Sequence, residues 1–584
     1  MGTNEVGENC VIHAKSDYSV DRRLVMVSGV AILIGAVSTF AAAALLALIH
    51  FFTNLFFYQR LSWEVVSPAQ NALGLAVILV PAIGGLLVGL MARYGSDKIR
   101  GHGIPEAMET ILFGKSQMSP RVAVLKPISS GIVIGSGGPF GAEGPIIMTG
   151  GSLGSLVAQY LHLTAAERKT LLVAGACAGM TAIFSTPVAA LLLAVELLLF
   201  ELRPRSLLPV ALACAVAGFL RGLVFPAGPL FPLQTEPVSM MALVSCVVAG
   251  LLCGALAVLL TFALYKTEDC FHKLPVHWMW WPAIGGLIVG IGGYLEPRAL
   301  GMGYDVIGDL LNGHLLVAAA ISLLAVKAVI WVVALGSGTS GGVLAPLLIL
   351  GAGLGVLLAP YLPGASPELW ALVCMAGVLG STLGAPLTAI VFAFGLTHDS
   401  EALLPLMLTT AVAYGLTTLT LKRSIMTEKI ARRGLHIFRE YGADPLERQH
   451  VSDLMSARII AIDGTIPVAD ALSHYYDDYN LDRVYPVTSE GRVLGMVDYP
   501  TLRAHRHSLA RCADVLAPLL PEHVLLPNAT ARFAAGRMAQ LEVSCLPVVQ
   551  DLDSMNLIGT VSLRDLLRPN RSFIEEETFR EKMR

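Results

Sequence analysis

The nine residues PAIGGLLVG at positions 81–89 return as PAIGGLIVG at 282–290, 201 positions later. Gly101-His102-Gly103 returns as Gly301-Met302-Gly303 at an offset of 200. The stretch Gly135–Gly154 then aligns without a gap to Gly336–Gly355, again at 201, with eight identities in twenty positions. Pro187 and Pro386 continue the series, as do Ser206-Leu207-Leu208-Pro209 and Ala402-Leu403-Leu404-Pro405. Glycine-rich sequence matches itself easily, but chance does not deliver several matches in one order at nearly one spacing. The chain therefore holds two homologous halves, roughly 24–224 and 240–434, and its fold must be one that two copies of a unit build together. The repeat alone leaves the relative orientation of the halves open.

Both halves lie in an apolar region. Of 584 residues 55% are hydrophobic and 14% charged, which describes an all-α polytopic membrane protein rather than a string of soluble domains. Leu24–Phe57 is long enough to cross a bilayer, which takes roughly 20 residues. Many other apolar stretches are shorter and are broken by glycine and proline, as at Gly135–Gly138, Gly141–Pro145 and Gly336–Gly342. Broken backbone at membrane depth survives only inside protein or beside an aqueous cavity, because lipid offers its amides no partner. Residues 1–23 are polar, lack a signal-peptide core and end in Arg22 and Arg23, so they read as a cytoplasmic arm. A basic cluster (Lys422, Arg423, Lys429, Arg432, Arg433) marks a sharp change to soluble sequence and assigns that part to the cytoplasm as well. The net charge of −3 gives no footprint for nucleic acid. The nine cysteines show no metal-binding spacing, and no metal is expected.

Duplicated halves with broken helices in matching positions point to a transporter whose site lies where the halves meet, near mid-membrane. Each break precedes an apolar run that predicts a helix, for instance Ile146–Leu161 and Leu347–Tyr361. Converging helix starts offer unpaired N–H groups and partial positive charge, which suits an anion that must also leave. Glu143 stands at one such start, where its carboxylate can take the anion's place until protonation releases it. Glu201 follows a long apolar run and precedes Arg203 and Arg205, so an interfacial ion pair and a functional role both stay open; Glu196 is a similar candidate, slightly deeper. Lys126 and Lys327 match at an offset of 201 and either orient helices or draw anions in. Gly338-Thr339-Ser340-Gly341 has the GxSG form of a serine hydrolase, but its repeat partner carries no serine chemistry and the nearest histidine, His398, sits in a polar loop, so no enzyme is expected. A cation transporter is disfavoured too, since a helix start repels cations.

The motifs GHGIPE (Gly101–Glu106), GAEGP (Gly141–Pro145) and GGVLAP (Gly341–Pro346) resemble, in order and spacing, the three anion-site motifs of the chloride channel and chloride/proton antiporter (ClC) family. The resemblance covers nearly the whole chain. It implies a homodimer of inverted-repeat subunits, each with its own pore, in a membrane of the bacterial inner-membrane type. It implies an anion-binding set of His102, Gly103, Ile104, Gly141, Ala142, Gly144, Val343, Leu344 and Met426, with Glu143 as external gating glutamate. Glu201 matches the internal proton-accepting glutamate of many antiporters, which favours exchange of chloride for protons; a passive gated channel is the runner-up. Two residues depart from the family pattern. His102 replaces the usual serine and Met426 the expected tyrosine, so both hydroxyl donors are missing. An imidazole can donate one hydrogen bond and, once protonated, adds a cation beside the anion, which predicts tighter anion binding as pH falls.

Residues 448–570 carry a weaker duplication. Tyr485-Pro486-Val487 with Gly495-Met496-Val497 parallels Leu546-Pro547-Val548 with Gly559-Thr560-Val561, after predicted helices at Val468–Tyr479 and Thr530–Leu541. Helix, strand, glycine, strand and helix, repeated, resembles a tandem of CBS modules, here 448–510 and 511–570, an α/β domain followed by a charged tail at 571–584. Such pairs often bind adenine nucleotides through a Ser/Thr-x-x-Asp element. Ser562-Leu563-Arg564-Asp565 fits that element and the first module's Asp498-Tyr499-Pro500-Thr501 does not, so at most one nucleotide site is implied. The bland alternative is that Asp565 serves the first turn of its own helix.

Overall fold

The computed structural model describes residues 22–435, 437, 446, 449–456, 459–476, 481 and 483–567. Most of the expected N-terminal arm and the whole charged tail lie outside the described residues. The chain divides into two compact units with the boundary at residues 439 and 440.

In the first unit eight helices are followed by eight more in the same order. The first set is α1 (Arg23–Tyr58), α2 (Leu79–Tyr94), α3 (Ile104–Leu112), α4 (Pro120–Gly135), α5 (Glu143–Gln159), α6 (Ala165–Phe184), α7 (Pro187–Leu193) and α8 (Pro204–Arg221). The second is α9 (Met241–His272), α10 (Trp281–Leu295), α11 (Tyr304–Leu311), α12 (Val317–Gly336), α13 (Leu344–Leu358), α14 (Pro367–Leu383), α15 (Pro386–Thr397) and α16 (Leu403–Thr420). A short α17 (Ile425–Ala431) closes the unit. Among the described residues seven helical stretches are long and apolar enough to cross a membrane, and the chain is an integral membrane protein.

The halves face each other across an approximate two-fold relation. A Cβ on Gly85 of α2 would collide with the Pro282 carbonyl of α10, and a Cβ on Gly286 would collide with the Pro81 carbonyl. Reciprocal contacts of this kind are the mark of a two-fold interface. The two buried lysines repeat the relation. Lys126 Nζ donates to the carbonyls of Ile99 (2.8 Å) and Gly101 (3.0 Å), and Lys327 Nζ to those of Ala299 (2.8 Å) and Gly301 (3.1 Å). Each lysine thus braces the loop that carries its half's Gly-x-Gly element. The core consists of α5, α6, α13 and α14, whose backbones approach closely at Gly150 against Gly175 and at Gly351 against Cys374. Small residues permit this where lipid supplies no hydrophobic drive between helices.

α5 and α13 begin three residues earlier than the apolar runs predict. Pro145 and Pro346 occupy the third position of their helices and Pro105 the second of α3. Proline costs no hydrogen bond in a first turn, where the amide has no partner in any case, so it marks the start instead of delaying it.

In the second unit α18 (Val451–Leu454), β1 (Ile462–Asp463), α19 (Val468–Tyr475), β2 (Val484–Ser489), β3 (Arg492–Asp498) and α20 (Tyr499–Ala504) precede α21 (Ala531–Leu541), β4 (Cys545–Val549) and β5 (Leu557–Ser562). β2 pairs antiparallel with β3 and parallel with β1, and β4 pairs antiparallel with β5. Residues 563–567 are helical. The repeated order matches the sequence expectation, although α19 ends at Tyr475; residues 477–479 of the expected helix lie outside the described residues. The modules are laced together where Val493 N donates to Met555 O and Leu557 N to Gly491 O, each 3.0 Å.

Candidate functional site

Three broken segments meet at one point. Gly342 N donates to Gly141 O at 3.2 Å, which joins the starts of α5 and α13. The start of α3 closes on them: a Cβ on Gly144 would collide with the His102 carbonyl, and one on Gly103 would lie 2.6 Å from the Gly144 carbonyl oxygen. Gly101 and Gly103 hold φ of +85° and +89°, a backbone that side chains with a Cβ resist. His102 is thereby turned into the protein between two glycines.

Glu143, the first residue of α5, is fully buried. Its Oε1 accepts from the Ala345 amide of α13 at 3.1 Å and from the Tyr304 hydroxyl of α11 at 3.4 Å. Oε2 has no hydrogen-bond partner among the described residues. The carboxylate rests on glycine: a Cβ on Gly141 would overlap it, and one on Gly342 would stand 2.6 Å from Oε2. A negative group therefore occupies the start of α13, where first-turn amides lack partners in their own helix and the helix dipole is positive. Val343 and Leu344 lie just before the amide that Glu143 uses, and both are buried, as are Ala142 and Ile104. His102 is also buried, and its Nδ1 has no hydrogen-bond partner among the described residues.

The α3 start is held from below by an ion cluster that the sequence reading passed over. Glu106 Oε2 accepts from Gly103 N at 2.9 Å, while Oε1 lies 3.1 Å from Lys429 and 3.2 Å from Arg433; Arg433 also pairs with Glu109. A buried carboxylate is tolerable when paired and hydrogen-bonded in this way. A cavity of about 740 Å³ runs up to Gly101 and Gly338, lined by Lys98, Arg100, Lys429, Arg432 and Arg433 against Asp97, Glu106, Glu109 and Glu268. Glu106 and Glu109 pair with Lys429 and Arg433, and Arg432 pairs with Asp269 and Glu428, so charges of both signs line the wall in near balance.

Met426 is buried in the first turn of α17, and Tyr265 of α9 donates its hydroxyl to the neighbouring Ile425 carbonyl. Glu201 accepts from Ser206 Oγ at 2.6 Å and lies 3.8 Å from Arg203 Nε, both partly exposed. Glu196 is deeper: it receives the amides of Leu387 (3.1 Å) and Thr388 (2.7 Å) and the Thr388 hydroxyl (2.6 Å), and so caps α15. The sequence reading missed Tyr304 and Ala345. Tyr304 follows Gly303 as Ile104 follows Gly103, so the repeat itself was the available signal.

In the second unit Asp565 Oδ2 accepts from Ser562 N (3.0 Å) and Ser562 Oγ (2.6 Å), and the Asp565 amide returns a bond to Ser562 Oγ at 3.4 Å. The Ser-x-x-Asp element caps its own helix. Asp498 receives the Thr501 amide at 3.0 Å at the equivalent place in the first module. Burial, with the Asp565 carboxylate adding to it, pushes the Cys545 thiol on β4 up to about 12, which leaves it protonated and unreactive.

Residues 84–418 match the family described as voltage gated chloride channel, and residues 451–505 and 514–569 each match the CBS domain. The chain is 30% identical over 397 residues to the voltage-gated ClC-type chloride channel ClcB of Salmonella dublin, covering 66% of this chain and 94% of that protein. It is 28% identical over 368 residues to the H(+)/Cl(-) exchange transporter ClcA of Klebsiella pneumoniae, covering 59% and 75%. Among solved structures a slow cyanobacterial Cl-/H+ antiporter superposes with a TM-score of 0.63 at 21% identity, covering 71% of this chain and 99% of the other.

Proposed function

Since the chain belongs to the voltage-gated chloride channel family and ends in a pair of CBS domains, we propose that it carries chloride or another small anion across the membrane in exchange for protons. The observation that carries this reading is the Glu143 carboxylate lying on Gly141 and Gly342 with the Ala345 amide on Oε1. It holds the position an anion would need, so protonation and departure of the carboxyl would free it. The anion would then meet amides at the starts of α3, α5 and α13 (Gly103 and Ile104, Ala142 and Gly144, Val343 and Leu344), with His102 offering an imidazole N–H and Met426 a thioether where a hydroxyl is usual.

Glu201 is the proposed internal proton acceptor. Its hydrogen bond from Ser206 and its approach to Arg203 favour a second reading, a passive gated channel in which Glu201 is a structural anchor for the start of α8. A homodimer with the N-terminus and the CBS pair in the cytoplasm completes the reading. An adenine nucleotide at Ser562 and Asp565 would have to displace the cap these residues make with each other.

The test is reconstitution in liposomes under an outward-opposed chloride gradient while external pH is followed. Uphill proton movement that disappears in Glu201→Gln, with chloride flux retained, supports exchange. Chloride flux with no proton movement in the wild type overturns it in favour of the channel.

A further inference from the structure

The second half supplies a side chain to the first half's gate. Gly301-Met302-Gly303 is the repeat counterpart of Gly101-His102-Gly103, and the residue after it, Tyr304, opens α11. Its hydroxyl lies 3.4 Å from Glu143 Oε1 and is the one side-chain donor to that carboxylate among the described residues. Three features fix where the hydroxyl stands. Lys327 holds the loop through the carbonyls of Ala299 and Gly301. Gly303 packs so closely that a Cβ there would come within 2.7 Å of Ile349 Cδ1. The Tyr304 ring meets the Phe184 ring edge-on with centroids 6.1 Å apart. A phenol inside apolar surroundings seeks a hydrogen-bond partner, and a donor to an ionised oxygen contributes more than one to a neutral oxygen.

We propose that Tyr304 is a positioning residue that latches the Glu143 carboxylate in the anion's place, so that anion affinity is set partly by the second half's loop. This rests on Glu143 competing with the anion, and the two claims fail differently. Tyr304→Phe keeps the ring and removes only the donor. With the latch gone the carboxylate competes less well and chloride binds more tightly.

The experiment is calorimetric titration of chloride into the purified full-length protein, as wild type, Tyr304→Phe, Glu143→Gln and the double variant. The expected result is a Kd that falls roughly 2- to 10-fold in Tyr304→Phe, the span of one hydrogen bond at the long end of its range, and no further change when Tyr304→Phe is added to Glu143→Gln. A shift of equal size in both backgrounds means that the hydroxyl acts on the anion site independently of Glu143 and overturns the latch. An unchanged Kd in Tyr304→Phe, alongside a lowered one in Glu143→Gln, overturns the latch but leaves the gate standing. If Glu143→Gln itself leaves Kd at the wild-type value, the competition reading falls and the latch falls with it.

Discussion

The reciprocal seam between α2 and α10 makes a quantitative demand. A methyl added at Gly85 would sit 2.6 Å from the carbonyl carbon of Pro282 and 3.0 Å from the Ala283 nitrogen; one added at Gly286 would sit 2.6 Å from the carbonyl carbon of Pro81 and 2.9 Å from Ala82 Cα. Non-bonded carbons settle about 3.5–4.0 Å apart, and every atom met here is backbone, so no rotamer relieves the clash. The helices must part by about 1 Å, and over-packing of that order costs about 1–3 kcal/mol. One parting movement makes room for both methyls. The double variant Gly85→Ala/Gly286→Ala should therefore lose little more than either single variant, a non-additivity of about 1–3 kcal/mol between contacting sites. The assay is the thermal midpoint of monodisperse protein in detergent, read at one scan rate because unfolding of such a chain is governed by its rate. Gly29→Ala, where nothing lies within 4 Å, is the control and should not lower the midpoint. Additive losses in the double variant would mean two independent contacts and would refute the two-fold seam.

Three further outcomes concern the site and the CBS pair. If the His102 imidazole gains a proton beside the anion, chloride affinity rises more steeply with falling pH in the wild type than in His102→Ser, where protonation of Glu143 alone remains; parallel pH profiles in the two proteins would rule out that protonation. Ser562→Ala should cost the second CBS module about 1 kcal/mol, the size of a lost helix cap. Titration with ATP should be weakened by Asp565→Asn if the element also binds nucleotide, and heat-free titrations in the wild type would leave capping as its sole role.

The architecture was legible because its determinants are local. Glycine and proline at Gly101–Glu106, Gly141–Pro145 and Gly341–Pro346 dictate where helices can begin, and the spacing of the repeat carries the pairing of halves. The matched lysines could be seen in the sequence, but not their task, which depends on carbonyls 25–28 residues away. Tyr304 escaped notice for a related reason. Nothing around it marks a phenol as functional, and its importance arises only when α11 of one half is brought against α5 of the other. The Glu106 cluster escaped too, because its cations come from α17 and the turn after it, more than 300 positions along the chain. Glu196 and Glu201 illustrate the limit of counting carboxylates near a boundary. Five residues apart, one caps α15 from a buried position and the other faces Ser206 and Arg203 at partial exposure, and no periodicity separates the two.

Anomalous scattering from bromide in crystals of Glu143→Ala, compared with crystals of the wild type, addresses the central claim at atomic position. A bromide peak is expected in the variant within hydrogen-bond distance of the Ala345 amide, over Gly141 and Gly342, where the carboxylate now lies. A variant whose bromide avoids that position, with the space filled by water or by collapse of the two glycine segments, would contradict it.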